Sequence, residues 1–168
     1  FWKSNVKYTI EKISNSNFFE FGDFINPYDK KAEDINTNTT KSYFDLANIE
    51  ILGEDNKARL NLFDAKKREF PLMIDMLEQH PFSSQVFLPL SDSPFFVIVC
   101  PAAIEPDLNN LKIFKIENGN GVNFKPQVWH FPLISINNAK FITVDKKNAD
   151  NNLKIYNFTK EEKFYFNG

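Results

Sequence analysis

The stretch MLEQHPFSSQVFLPL, Met76 to Leu90, decides how the rest of the chain is read. Along an extended strand, side chains at i and i+2 share a face, so Glu78 and His80 point the same way. Leu72, Ile74 and Met76 have the same parity, which puts this polar pair at the end of an inward-facing row. Pro81, Phe82 and Ser83 predict a turn, and Gln85, Phe87 and Pro89 line one face of the strand that follows. His80 is one of only two histidines. The other, His130, lies in a second distinctive stretch, GVNFKPQVWHFPLISI, from Gly121 to Ile136. A fold that joins the two stretches brings both histidines into one pocket.

Outward from this strand–turn–strand, the apolar residues keep the period of strands. Val6, Tyr8 and Ile10 alternate in a first strand, and Phe18 to Ile25 is interrupted by Gly22-Asp23, read as a turn or bulge. Residues 26–42 form a polar surface loop with a short strand near Ile35. Tyr43 to Leu52 is apolar again, and Gly53-Glu54-Asp55-Asn56 predicts a hairpin turn into an alternating strand, Arg59 to Phe63. Phe95 to Cys100 is a continuous apolar run, the pattern of a buried strand. Asp107 is a candidate N-cap for a helical turn reaching Leu111. Leu111 to Ile116 alternates, and Asn118-Gly119-Asn120-Gly121 is the strongest turn signal in the chain. Val128 to Ile136 and Lys140 to Val144 are further strands, residues 145–152 a polar loop, and IYNF and KFYF two strands near the end. About ten short strands, with almost no helical period, predict an all-β sandwich or barrel with few short helices.

Composition narrows the class. The 168 residues suit a single domain spanning 1–168. A hydrophobic share of 42% with 25% charged residues is that of a globular protein in water. A net charge of -2 offers no basic face for nucleic acid. No apolar run approaches the roughly 20 residues of a membrane span, and the opening FWKSNVKYT lacks the apolar core of a signal peptide. A single cysteine, Cys100, ends a buried apolar run, so an inert thiol in a reducing cytoplasm is expected. Lysine far outnumbers arginine, with Arg59 and Arg68 the only arginines, and phenylalanine is abundant. This is the pattern of an AT-rich genome, so the phenylalanines are assigned to the core.

The spacing of Glu78, His80 and Gln85 resembles the first ligand-bearing stretch of the cupins, small jelly-roll (double-stranded β-helix) barrels, and Gly121…Pro126…His130 resembles the second. The similarity narrows to one cupin family, the ureidoglycolate lyases. MLEQHPFSSQVFLPL resembles that family's L-E-R-H-P-x-x-[ST]-Q-x-F-[IL]-P, and GVNFKPQVWHFPL resembles its G-V-N-Y-x-x-x-V-W-H-H-P-L. FITVDKKNADNN resembles F-x-x-[IV]-D-R-x-x-x-D-N-C, FGDFI an early F-G-D-V-I, and FDLANIEI an H-D-L-A-x-x-E. The chain departs from the pattern at Phe131 and Phe44, where the family has His, and at Phe124, where it has Tyr. It also departs at Asp64 and Ser42, where the family has Arg, and at Lys125-Pro126, where His-Arg is common. The resemblance implies a cupin-like barrel, a homodimer and cleavage of ureidoglycolate to glyoxylate and urea in purine (allantoin) nitrogen catabolism. Two other readings stay open: a diverged cupin that binds a small carboxylate without turnover, and a metal-dependent cupin enzyme acting on another small hydroxy acid.

Breaking the C–N bond of ureidoglycolate requires a base for its hydroxyl, an acid for the leaving nitrogen and an anchor for its carboxylate. His80 and His130 are the candidate acid and base, since imidazole exchanges protons near neutrality, with Glu78 beside them. The same Glu78, His80 and His130, joined by Gln85, form a candidate site for a divalent first-row metal. Gln85 otherwise orients substrate. Asn123, Lys125, Asp145 and Lys146 are candidate substrate-binding residues, the lysines serving either as carboxylate partners or as solvated surface groups. Ser84 either binds substrate or caps the turn. Trp129, adjacent to His130, has the opposite parity and is assigned to packing.

Overall fold

The computed structural model describes residues 8–148 and 150–168, so the part of the first strand expected at Val6 lies outside the described residues. The strands, in chain order, are β1 (Ile10–Lys12), β2 (Gly22–Ile25), β3 (Glu33–Ile35), β4 (Thr40–Ser42), β5 (Ala58–Ala65), β6 (Leu72–Ile74), β7 (Met76–Gln79), β8 (Gln85–Pro89), β9 (Phe95–Cys100), β10 (Lys112–Ile116), β11 (Gly121–Phe124), β12 (Trp129–His130), β13 (Ile134–Ser135), β14 (Ala139–Lys146), β15 (Lys154–Asn157) and β16 (Phe164–Phe166). One sheet runs β1-β10-β9-β12-β7-β15, with β13 also on β9; the second runs β2-β11-β8-β14-β5. Phe87, Val122, Phe124 and Phe141 of the second sheet share a core with Val97, Val99 and Phe114 of the first, so the two sheets face each other across it. The result is the all-β sandwich that the strand pattern predicts, with the cupin-like character that the resemblance implies.

A second core lies behind the first sheet. Leu77, Phe96, Ile98, Ile113 and Trp129 point away from the shared interior, and the β6–β16 pair covers them. Phe96 packs edge-on against Phe166 with ring centroids 4.9 Å apart. Phe95 to Cys100 therefore reads as one apolar run because both faces of β9 are buried. The Cys100 thiol is enclosed there, and burial, with the nearby Asp107 charge, pushes its pKa up to about 12, which fits an unreactive thiol.

Several corners also follow the sequence. Asn118 and Gly119 both have positive φ, 61° and 70°, and carry the chain from β10 in one sheet to β11 in the other. Asp107 caps a short 3-10 turn at Leu108–Asn110 by accepting from the Asn109 N–H. The polar segment 26–42 holds the short hairpin β3–β4.

Other expectations are corrected. Gly22-Asp23 is not a turn: Gly22 opens β2, and the break falls earlier, after the single helical turn Asn15–Phe18. A Cβ at Gly22 would collide with the Asn123 backbone carbonyl of the adjoining strand, and the residue has φ 149°. Glycine is there for close backbone approach, a signal that looks like a turn in sequence. Gly53 to Asn56 does not close a hairpin. Among the described residues, 43–52 contribute only the isolated bridge of Ile51 to Ser83, and the loop instead wraps the Lys146 side chain. The row from Leu72 to His80 is broken at exposed Asp75, with β6 and β7 in different sheets. Val128 to Ile136 is split into β12 and β13, both paired with β9.

Candidate active site

Both signature stretches are corners that cross between the sheets. β7 belongs to the first sheet and β8 to the second, so the Pro81–Ser84 turn sets Glu78 and His80 on one wall and Gln85 on the other. β11 and β12 make the same crossing in reverse, and the Gln127 N–H donates to the His80 carbonyl at 3.0 Å, tying the two corners together. His130 stands directly opposite Glu78 in the first sheet, and Phe124 directly opposite Gln85 in the second. The two histidine rings meet with centroids 5.2 Å apart. His130 also stacks on Phe124, at 4.5 Å and 12° between planes. The two corners thus bring both histidines together, the condition on which the sequence reading of a shared site depends.

The hydrogen bonding leaves a characteristic gap. His80 Nδ1 lies 2.8 Å from the Asn152 carbonyl, and His130 Nδ1 lies 3.1 Å from the Val128 carbonyl. Each carbonyl can only accept, so each ring donates through Nδ1 and turns Nε2 inward. Both Nε2 atoms and Gln85 Oε1 are buried without a hydrogen-bond partner. His130 Nε2 is 3.5 Å from Glu78 Oε1, an electrostatic contact rather than a formed hydrogen bond. Buried polar atoms are satisfied as a rule, so the two unpartnered Nε2 atoms beside Glu78, with Gln85 Oε1 on the second sheet, indicate a place for a ligand. One ligand atom each from Glu78, His80 and His130 lie within 4.8 Å of one another, and two imidazoles with a carboxylate suit a divalent first-row ion. The residues present therefore fit a metal.

The charges are tuned by this enclosure. Burial, then the charge of His130, hold the His80 pKa below its ordinary value against the Asn152 carbonyl, Glu78 and Asp145. Burial pushes the Glu78 carboxyl up, but the contact with His130 and the charges of both histidines outweigh it and leave it below the usual value. Below the polar groups the interior turns apolar. Phe124 and Phe131 line, with Phe87, Phe95, Val97 and Leu133, a void of only about 10 Å³.

Of the candidate substrate-binding residues, Asp145 joins the pocket and four do not. Asn123 is on the opposite face of β11 from Phe124, donating to the Asp23 carboxylate and the Asn48 carbonyl, both at 2.9 Å. Ser84 accepts from the Glu50 N–H at 2.9 Å and pins the 48–51 segment. Exposed Lys125 reaches the Phe19 carbonyl at 2.6 Å. Lys146, next to Asp145 and so on the other face of β14, donates to the carbonyls of Leu52 and Glu54, both at 2.5 Å. These side chains fasten the outer loops to the second sheet. Asp64 lies on the outer, exposed parity of β5, so its difference from the family pattern leaves the inner wall untouched.

Four pocket residues were not singled out. Arg59, Asn61 and Thr143 complete the second wall beside Asp145. Arg59 pairs with Asp145 through Nε at 2.6 Å and Nη2 at 3.0 Å, and Asn61 donates to both Thr143 Oγ1 and Asp145 Oδ1 at 3.1 Å. The alternation of Arg59, Asn61 and Phe63 in one strand was the available signal. Asn152 holds His80: its side chain accepts from the Phe82 N–H at 2.7 Å and donates to Ser83 Oγ at 3.0 Å, fixing the carbonyl that orients the ring.

Comparison with known proteins gives these features a family. Residues 5–164 match the family described as ureidoglycolate lyase. A ureidoglycolate lyase of Stutzerimonas stutzeri (strain A1501) is 36% identical over 155 residues, covering 92% of this chain and 91% of that protein. One of Burkholderia mallei (strain NCTC 10229) is 37% identical over 150 residues, covering 89% and 88%. Among solved structures, a dTDP sugar isomerase of Desulfovibrio desulfuricans G20 is 9% identical with a TM-score of 0.36, covering 82% of this chain and 81% of that one. The match along nearly the whole chain means that the chain belongs to the ureidoglycolate lyase family.

Proposed function

We propose that this protein is a ureidoglycolate lyase, releasing glyoxylate and urea in purine nitrogen catabolism. The observation that carries the reading is the pair of inward-facing, unpartnered histidine nitrogens in a family-matched pocket. His80 is the base. Its Nδ1–H is held by the Asn152 carbonyl, and its lowered pKa keeps Nε2 unprotonated at neutral pH. It takes the substrate hydroxyl proton; the hydroxyl carbon becomes a carbonyl as its bond to nitrogen breaks. The electron pair leaves on the ureido nitrogen, which takes a proton from His130. A proton on His130 Nε2 has the Glu78 carboxylate 3.5 Å away. The unpartnered Gln85 oxygen accepts from a substrate N–H or O–H.

Urea release from ureidoglycolate by the purified protein tests the reading, and no turnover with or without added divalent metal overturns it. We expect His80→Gln to lower kcat by about 10²- to 10⁴-fold, the usual span for removal of a general base. The clustering of Glu78, His80 and His130 supports a second reading, in which the two Nε2 atoms hold a metal in place of serving as base and acid. With Gln85 Oε1 they would hold a divalent first-row ion, which supplies Lewis-acid polarisation of the substrate hydroxyl. Elemental analysis of protein purified without chelator checks this, and less than stoichiometric metal after incubation with Mn, Fe or Zn rules against it.

We also infer that the protein works as a homodimer in a reducing cytoplasm. Exposed Leu60 and Leu62 on the edge strand β5 support the first, and the single enclosed thiol supports the second. Among the described residues no helix is long and apolar enough to cross a membrane.

A further inference from the structure

Lys125 and Lys146, the cations expected to meet the substrate carboxylate, are both spent on backbone carbonyls outside the pocket. The reaction still needs a carboxylate anchor, and the second sheet supplies a cation on the correct face. Register sets Phe124, Gln85 and Phe87 on the inner parity of β11 and β8, with Phe87 opposite Thr143 of β14. Thr143 and Asp145 stand opposite Asn61 and Arg59 of β5 in the same register. The Phe63–Phe87 ring contact, 5.9 Å between centroids, confirms that this parity of β5 faces inward. Arg59 therefore closes the row that begins at the His130-stacked Phe124 and passes through Gln85 and Asp145. The Asp145 charge is felt at His80, so the Arg59–Asp145 pair lies within electrostatic reach of the base.

The pairing leaves Arg59 a usable edge. Asp145 occupies Nε and Nη2, and Nη1 has no partner among the described residues. Asp145 is buried with 7% side-chain exposure, whereas the Arg59 side chain is 41% exposed, so the carboxylate is fixed while the arginine keeps access to solvent. Asn61 also donates to Oδ1, the carboxylate oxygen that accepts from Arg59 Nε. A guanidinium clamped along one edge is pre-oriented to take a further carboxylate along its remaining edge. Adjacent strands are about 4.8 Å apart, so Arg59, two strands from Gln85, sits roughly 10 Å from it. That distance suits a short molecule with a carboxylate at one end and hydrogen-bonding groups along its length.

We propose that Arg59, oriented by Asp145 and Asn61, binds the carboxylate of a small 2-hydroxy acid substrate and sets the specificity of the pocket for that group. This rests on the lyase reading for the identity of the substrate, and deepens it by assigning the anchor. In the Arg59→Met enzyme we expect KM for ureidoglycolate to rise about 10- to 100-fold, the loss of a charge-assisted hydrogen-bonded contact, with a smaller change in kcat. Because this variant strips Asp145 of its partner, Arg59→Lys and the double variant Arg59→Met/Asp145→Asn are measured beside it, and both are expected to share the KM defect. Arg68→Met serves as control, since Arg68 lies over the Phe131 ring instead, 5.8 Å from its centroid. Unchanged KM in the folded Arg59 variants, or a KM defect that appears in Arg68→Met and not in them, overturns the proposal.

Binding separates the two readings. Glyoxylate is expected to raise the melting temperature of the wild type more than glycolaldehyde, which lacks the carboxylate, and to lose that effect in Arg59→Met/Asp145→Asn. Wild-type stabilisation without urea release removes the lyase reading and leaves the anchor standing. Equal stabilisation of wild type and double variant, or none in the wild type, removes the anchor.

Discussion

His80 shows how a few contacts set the chemistry of one residue. Its ring is enclosed, bonded at Nδ1 and held below its ordinary pKa by burial and by the His130 charge. The unfolded chain binds this proton near pH 6.5 (about the model-peptide value), and the folded chain binds it only at lower pH. In between, the unfolded state holds more protons, so stability falls as pH is lowered through that window. Glu78 acts in the same direction further down: its carboxyl is depressed, and the stability it contributes above its unfolded pKa is lost as pH falls through the folded value. Denaturation midpoints measured from pH 7 downward should therefore decline, and His80→Gln should flatten the upper part of the decline. An identical slope in the variant would mean that His80 is not the group titrating. The acid limb of log kcat/KM should likewise lie below pH 6.5, because protonated His80 cannot serve as base. Asn152→Ala removes the acceptor of the Phe82 N–H and the donor to Ser83, both deep in the corner. It should lower stability by about 1–3 kcal/mol and kcat with it, while KM moves less; a kcat equal to wild type would show that the His80 ring does not need this clamp.

The elements explain what could be read in advance. β7, β8 and β9 follow their alternation or apolar runs, and the corners at Pro81 and Asn118 are marked by turn residues. Glu78, His80, Gln85 and His130 were legible because each lies in a patterned strand or at its end, and parity alone fixes the face. Arg59, Asn61 and Thr143 were less so, since their strands alternate but nothing in the sequence says which sheet they join. Asn123 misled for a related reason: it lies inside a signature stretch, yet has the wrong parity for the pocket. Lys146 is one position from Asp145, and that single step reverses its face. Gly22 reads as a turn or bulge because glycine marks both these and close approaches, and only the partner strand distinguishes them. The close approach is directly testable. Gly22→Ala drives a Cβ into the Asn123 carbonyl, and should destabilise the protein by roughly 3 kcal/mol or more, within the range reserved for steric clashes at special backbone positions. A loss under about 1 kcal/mol would mean that β2 and β11 can separate freely.

For the whole molecule, the second sheet poses a problem at its β5 edge. β5 is eight residues long, pairs along its full length with β14, and has no partner on its other side among the described residues. Its outer parity exposes Leu60 at 72% and Leu62 at 54%. A long, apolar, unpaired edge is a template for uncontrolled association, and native proteins cover such edges. In the proposed homodimer, a second copy approaching across a two-fold axis would cover it with the same strand in antiparallel register and leave no edge for a third. A stable interface of this kind buries on the order of 1,200 Å² or more in total, which an eight-residue edge supplies only if the neighbouring loops also pack. Sedimentation velocity at micromolar concentration should give a dimer. The double variant Leu60→Glu/Leu62→Lys should give a folded monomer, because neither side chain touches the inner core. A wild type that sediments as a monomer, or a double variant that remains dimeric, would place the interface elsewhere or remove it.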